Sequence, residues 1–334
     1  MTKITDVATL AGVSTATASR ALNGVPTVNP ELAERVKAAA EQLDYHSNGV
    51  ARSLRRRRTN VWALIISDIA NPFFTAVARG AEDVAQQAGY SIVLCNSDED
   101  PTKEAQYLTV AERDQVSGVI ISPNAFGSDI SRLRTARIPV VAIDRPLNEP
   151  VDTVLAHSRR GAREATQHLL DAGWNRPACI TGPKHAATAQ QRRAGYLDAL
   201  TGQQRRQATS LIRHADYRAN SARTALADLL NKTNPPDSLF VANAPMALGV
   251  LEELDHRGLR PGTDIGLIAF DDAPWAPFVT PPLSVVAQPA YDIGHHAGQL
   301  LLDRINNPRT TPEPRTVTLH TELVIRTSST RSPR

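Results

Sequence analysis

At 334 residues the chain exceeds one typical core, so two or three domains are expected. A hydrophobic content of 41% and a charged content of 21% exclude a disordered or fibrous chain. Cys95 and Cys179 are too few for a disulfide framework or a cysteine-rich zinc site. No apolar run reaches membrane-spanning length, and the N-terminus lacks a basic-then-apolar leader, so a cytoplasmic protein is expected. The formal charge of +3 is uneven. Residues 1–60 carry nine Lys and Arg against five Asp and Glu, the excess a polyanion-binding head requires.

In chain order, Thr5 is read as the cap of a first helix whose inner face is Ile4, Val7, Ala8 and Ala11. Gly12 ends it with a positive φ, and Ser14 caps a second helix running to about Asn23-Gly24. That spacing suits a helix-turn-helix, although alone it also fits an ordinary helical hairpin. A third helix opens at Asn29-Pro30-Glu31 and presents Leu32, Val36, Ala39, Ala40 and Leu43 as one stripe, enough to close a three-helix core. Between Asn48 and Thr59 come five arginines and no acid, a run that repels itself until phosphates neutralise it.

After Thr59 the period changes. Apolar runs 61–66, 90–95, 118–122 and 139–143 read as strands, with helices at 73–89, 102–113 and 128–136 between them. A second series has helices at 161–172, 188–200, 220–230 and 246–257. Its strands fall at 178–181, near Leu211, and at 238–242 and 265–270. Strands buried on both faces and alternating with helices predict two doubly wound, parallel α/β units facing one another. Strand-end loops should line the cleft between them. Those loops carry Ser67, Asp68, Asn71, Phe73 and Phe74; then Asp144 and Arg145; then Thr188 and Arg192. Tyr217, Asn243, Asp271 and Asp272 complete the set. Carboxylates, an amide and guanidinia beside aromatic faces suit a polyhydroxylated ligand, whose hydroxyls donate and accept while its CH faces stack.

Val7-Ala8, Ala11-Gly12-Val13-Ser14, Thr17, Ser19-Arg20 and Leu22-Asn23-Gly24, followed by Ala51-Arg52-Ser53-Leu54, resemble the LacI/GalR family of bacterial transcription regulators. The resemblance implies a helix-turn-helix head at 1–47, a hinge helix at 48–59 and an effector-binding, dimerising body at 60–330. The body would be periplasmic-binding-protein-like. Three crossovers near 157–160, 286–291 and 319–322 would divide it into one subdomain of about 60–158 and 290–319 and another of about 161–287 and 322–330. Thr15, Ala16 and Arg20 would read bases, with Leu54 wedging into the minor groove. Ser14, Thr17, Ser19, Asn23, Asn29, Tyr45, Arg52 and Arg55 would hold phosphates, and Thr17 serves equally well as a packing residue.

By the same resemblance Arg192, Tyr217, Asn243 and Asp271 touch the effector, and Phe73 or Phe74 stacks on it. Two departures stand out. Ala244 replaces an acid common in the family, and Ala186 replaces the arginine of purine-responsive members, which argues against a purine base. The expected partners are a palindromic operator DNA, a sugar, sugar derivative or nucleoside, and a second copy of the chain. No cofactor, metal or membrane is expected. The sequence holds no GxxxxGK[ST], no GxGxxG after the first strand and no GxSxG, so a sugar-modifying enzyme is the weaker reading. A plain sugar-binding module and an architectural DNA binder also compete with the regulator reading. The arginine-rich hinge opposes the first, and the set of polar strand-end loops opposes the second. The polar tail 327–334 is expected to fray.

Overall fold

The computed structural model describes residues 2–22, 27–45, 59–308 and 313–331. The chain divides into two compact units at Arg58/Thr59. Asn23, Arg52, Leu54 and Arg55 lie outside the described residues.

The first unit comprises α1 (Ile4–Leu10), α2 (Thr15–Leu22) and α3 (Pro30–Gln42). Helix α1 starts one residue before the expected cap. Lys3 holds that place, and Asp6 Oδ2 accepts its N–H at 2.8 Å, so an acid at the third helical position replaces the hydroxyl cap. Gly12 has φ +63°, and Arg35 closes the end of α1 by donating to the Ala11 carbonyl at 2.6 Å. Ser14 and Asn29 cap as expected, accepting from Thr17 N (3.1 Å) and Glu31 N (2.8 Å). Val7, Ala8, Ala11, Ala18, Ala21, Val36, Ala39 and Ala40 make a small core with no buried side chain larger than valine.

The second unit runs β1 (Val61–Ile66), α4 (Pro72–Gln87), β2 (Ser91–Asn96), α5 (Pro101–Arg113), β3 (Gly118–Ile121), α6 (Ser131–Thr135), β4 (Val140–Ile143) and β5 (Asp152–Ala156). It continues with α7 (Ser158–Asp171), β6 (Pro177–Thr181), α8 (Ala187–Ala199), α9 (Gly202–Gln207), β7 (Ile212–His214), α10 (Ala219–Leu230), β8 (Ser238–Val241), α11 (Ala244–His256) and β9 (Gly266–Phe270). Last come β10 (Ser284–Ala287), α12 (Ala290–Asn306), β11 (Thr316–Leu319) and β12 (Glu322–Val324).

One six-stranded sheet has the order β11-β5-β4-β3-β1-β2 and the other β12-β10-β9-β8-β6-β7. All pairings are parallel except β10 with β12. The exception has a geometric cause: β10 runs toward the junction between the lobes and β12 runs away from it. The chain changes lobes at residue 157, between 287 and 290, and between 319 and 322. The discontinuous first lobe is pinned by Asp152, whose buried carboxylate accepts from Arg304 Nε (2.7 Å) and Nη2 (2.9 Å) and from Arg315 N (2.7 Å). Contrary to the expected fraying, the described part of the tail, residues 327–331, is built into the second lobe. Ser328 and Ser329 are fully buried, Ser328 Oγ donates to the Leu267 carbonyl at 2.7 Å, and Ser329 Oγ meets Ser284 Oγ at 2.7 Å. Consecutive serine hydroxyls in a turn satisfy buried backbone groups there, the Leu267 carbonyl and the Ser284 N–H among them, which a polar composition does not reveal.

Candidate functional site

In the first unit, Ala18 and Ala21 turn into the core while Thr15, Ala16 and Arg20 are exposed on α2. Thr17 is half-buried, and its hydroxyl meets Ser14 Oγ at 2.9 Å, so the pair forms the helix start as well as a polar surface. Ser19 is half-buried, Asn29 is exposed, and Tyr45 packs against the core edge.

In the second unit, the strand-end loops of both lobes converge on one cleft. Ser67, Asn71, Phe73, Phe74 and Asp144 line it from the first lobe, and Thr188, Arg192, Tyr217, Asn243 and Asp271 from the second. Each is fixed by local structure. Asn71 caps α4, accepting from Phe73 N at 3.1 Å, and that sets Phe73 edge-to-face on Phe74 with centroids 5.0 Å apart. Asn243 caps α11, accepting from Met246 N at 2.9 Å, while its amide donates to the Tyr217 carbonyl at 3.1 Å. Asn243 therefore positions the Tyr217 loop and keeps one donor and one acceptor place for a ligand.

Two buried arginines face each other's lobes. Arg145 sits beside Asp144 (3.3 Å), binds Glu99 through Nη1 (2.8 Å), and stacks its guanidinium 5.4 Å from the Tyr217 ring centre. Burial opposes its charge, but the Glu99 hydrogen bonds and charge outweigh that and hold its pKa above the ordinary arginine value. Arg192 lies 4.0 Å over the Phe270 ring and donates to the Ala242 carbonyl at 2.6 Å. Its Nε is buried with no partner among the described residues, a donor that gains about 1–3 kcal/mol if a ligand oxygen reaches it. Asp271 accepts from Gln288 Nε2 at 2.6 Å. Burial pushes the Asp271 and Asp144 carboxyls up, against the pull of Arg192 on the first and of Arg145 and Arg192 on the second. Burial also raises Tyr217, whose hydroxyl meets Thr188 Oγ1 at 2.9 Å.

The free volume inside the cleft is about 30 Å³, room for about two waters. A larger ligand must part the lobes, which meet through Arg145 Nε and Thr188 (3.4 Å) and through an Arg218–Asp98 ion pair (3.7 Å). Asp272 does not join the cleft. It makes a two-pronged pair with Arg326 (2.9 and 2.8 Å), because successive residues leaving a strand point apart. Glu99 and Gln288 line the cleft beyond the residues expected from the sequence. Glu99 follows β2 inside the run Asp98-Glu99-Asp100, which has the composition of a solvated turn, and Gln288 follows β10, which is too short to announce itself. The same strand-end rule applied to every strand finds both. Among the described residues no helix is long and apolar enough to cross a membrane, and no cluster of three or more His, Cys, Asp or Glu could hold a metal ion.

A helix-turn-helix unit followed by a two-lobed body with a polar cleft defines a ligand-responsive DNA-binding regulator. Residues 3–48 match the lacI family of bacterial regulatory proteins, and residues 166–329 match the periplasmic binding protein-like domain. The chain is 36% identical to the ribose operon repressor of Halalkalibacterium halodurans over 305 residues, 91% of each protein. It aligns with the lac repressor dimer bound to operator and the anti-inducer ONPF at a TM-score of 0.83 and 26% identity, covering 98% and 99% of the two chains. With the complex of the regulator CelR and cellobiose the TM-score is 0.71 at 29% identity, covering 98% and 100%. The chain belongs to the lacI family of bacterial regulatory proteins and is a DNA-binding transcription regulator.

Proposed function

We propose that this regulator is a cytoplasmic, non-catalytic repressor that binds a palindromic operator as a homodimer and responds to a small sugar, ribose or a close pentose. One observation carries the effector assignment: ten loop residues of opposite lobes, Arg192 with its unpartnered Nε among them, enclose a single narrow cleft. Its aspartates accept and its arginines donate, as a ring of hydroxyls needs, and Phe73, Phe74 and Tyr217 offer apolar faces. The name of the ribose operon repressor narrows the choice to a pentose.

On the DNA side, Thr15, Ala16, Arg20 and Leu54 read the operator, while Ser14, Thr17, Ser19, Asn23, Asn29, Tyr45, Arg52 and Arg55 hold its phosphates. A second copy fits the fold: β2 is a free sheet edge, with Val93 and Leu94 exposed on it and Val110 exposed on α5. The effector would shift the population of lobe arrangements, and with it the spacing of the two hinges. The test pairs calorimetry with operator binding. Ribose should bind the full chain and change its affinity for a selected palindromic duplex, and Arg192→Ala should abolish both ribose effects while leaving ligand-free DNA affinity intact. A chain that binds DNA but no pentose refutes the effector assignment, and unchanged DNA affinity on removal of residues 1–58 refutes the DNA assignment.

A further inference from the structure

In the cleft the buried carboxylates of Asp144 and Asp271 face the buried guanidinia of Arg145 and Arg192, with half-buried Glu99 beside them. An arginine in a ligand cleft ordinarily recognises phosphate or carboxylate by offering two parallel N–H groups. Here the two-pronged edge of Arg145 is already filled. Its Nη1 donates to Glu99 Oε2 (2.8 Å) and to the Pro123 carbonyl (3.1 Å), and its Nη2 donates to Glu99 Oε1 (2.5 Å). Glu99 thus stands where an anionic group of a ligand would dock.

Arg192 is partly engaged as well, although its Nε is without a partner among the described residues and stays available to a ligand oxygen. Arg192 spends Nη1 on the Ala242 carbonyl and its face on Phe270. The start of α11 holds Asp271, which accepts from the Ala244 N–H, and Asn71 and Asn243 cap α4 and α11. Helix α8 begins there without a side-chain cap, and its Thr188 hydroxyl is already engaged by Tyr217.

Glu99 is held firmly. Asp98 (φ 55°) and Glu99 (φ 59°) are consecutive residues in the left-handed region. They are braced by Asp100 N to the Ser97 carbonyl (2.9 Å), Ser97 Oγ to the Ile66 carbonyl (3.1 Å) and a Lys103–Asp98 ion pair (2.5 Å). Burial already raises Asp144 and Asp271, and the charges of Asp271 and Glu99 add to the rise at Asp144. A further negative charge would meet the same resistance.

We infer that the cleft takes a neutral sugar and rejects a phosphorylated or acidic one, and that Glu99 sets this specificity by occupying the guanidinium edge of Arg145. The assignment rests on the cleft being the effector site. Calorimetric titration of the full-length chain with D-ribose and with ribose 5-phosphate tests it. The wild type should prefer ribose by on the order of a hundredfold, the scale of a like charge brought close in a partly buried site. Glu99→Gln should cut that preference by about tenfold or more by freeing Arg145 for the phosphate, whereas Glu99→Asp, which keeps the charge, should retain it. Equal binding of both ligands by the wild type overturns the inference, as does an unchanged preference in folded Glu99→Gln. If Glu99→Gln does not fold, Arg145→Gln takes its place: it leaves Glu99 unmasked and should steepen the rejection of ribose 5-phosphate, and an unchanged or smaller preference overturns the inference. A wild type that binds ribose but shows either contrary result fails only the Glu99 assignment. One that binds neither ribose nor any other pentose or hexose takes the effector-site reading down with it.

Discussion

Gly182, the first residue after β6, tests how the cleft is built. A Cβ placed there would lie 2.1 Å from Tyr217 Cζ and 2.2 Å from its Cε1, far inside van der Waals contact. Gly182 does not use the left-handed region, so alanine suits its backbone and the whole effect of Gly182→Ala falls on the Tyr217 ring. That ring is buried and cannot swing away freely. Overpacking of this kind costs about 1–3 kcal/mol, and loss of the Tyr217–Thr188 hydrogen bond adds about 1 kcal/mol. The expected loss is about 2–4 kcal/mol in urea unfolding, with a fall in Tm of roughly 2–4 °C per kcal/mol. Ribose affinity should weaken by about tenfold, because the Arg145 stacking platform shifts. The decisive comparison is made in a Tyr217→Ala background, where the obstacle is gone. There Gly182→Ala should be close to neutral in stability, since coupled neighbours are not additive. Equal losses in the two backgrounds would show that the glycine serves some end other than seating this ring.

Two further outcomes are expected. Asp152→Asn keeps the shape of the pin between β5, α12 and β11 but removes its charge, and should cost about 1–3 kcal/mol. Burial alone would raise the Asp152 carboxyl, yet the bonds and charges of Arg304 and Arg315 hold it below the usual range. Its contribution is therefore full above about pH 4 and is lost as pH falls through the native value, so the wild-type advantage over Asp152→Asn should shrink on acidification. A constant gap in urea midpoint from pH 7 to pH 3 contradicts this account. In the head, Arg20→Ala should cost about 1–3 kcal/mol on the selected operator and relax discrimination at one base position. Anisotropy titrations showing the same loss on random duplex would make Arg20 a phosphate contact.

The architecture was readable because its signals are local. Asn29-Pro30-Glu31 caps a helix by chemistry that depends on no distant partner, and runs such as Val61–Ile66 can only be buried strands. What escaped depends on contacts far along the chain. Strand β5 opens on Asp152-Thr153, a polar start that makes sense only once Arg304 and Arg315 arrive from about 150 residues away. The tail was misread for the same reason. Ser328 and Ser329 have the composition of a solvated end until the Leu267 carbonyl and Ser284 are brought beside them.

At the cleft the limit is of another kind. Strand ends announce where a ligand can bind, and that alone gathered Asn71, Asp144, Arg192 and Asp271. The backbone they use was not announced. Asp98, Glu99, Asp144, Tyr217 and Asp271 all sit at positive φ in cleft loops, and not one is glycine, the residue that adopts this conformation at least cost. For an aspartate the left-handed region is a mild anomaly, but for a tyrosine at φ 68° it is a strained one, costing on the order of 1–3 kcal/mol. Asp44, Gln115 and Arg137 share this conformation outside the cleft, so positive φ marks tight turns and not, by itself, a binding site. Asp144 follows β4 directly, and its Oδ2 stands 3.3 Å from Arg145 Nε.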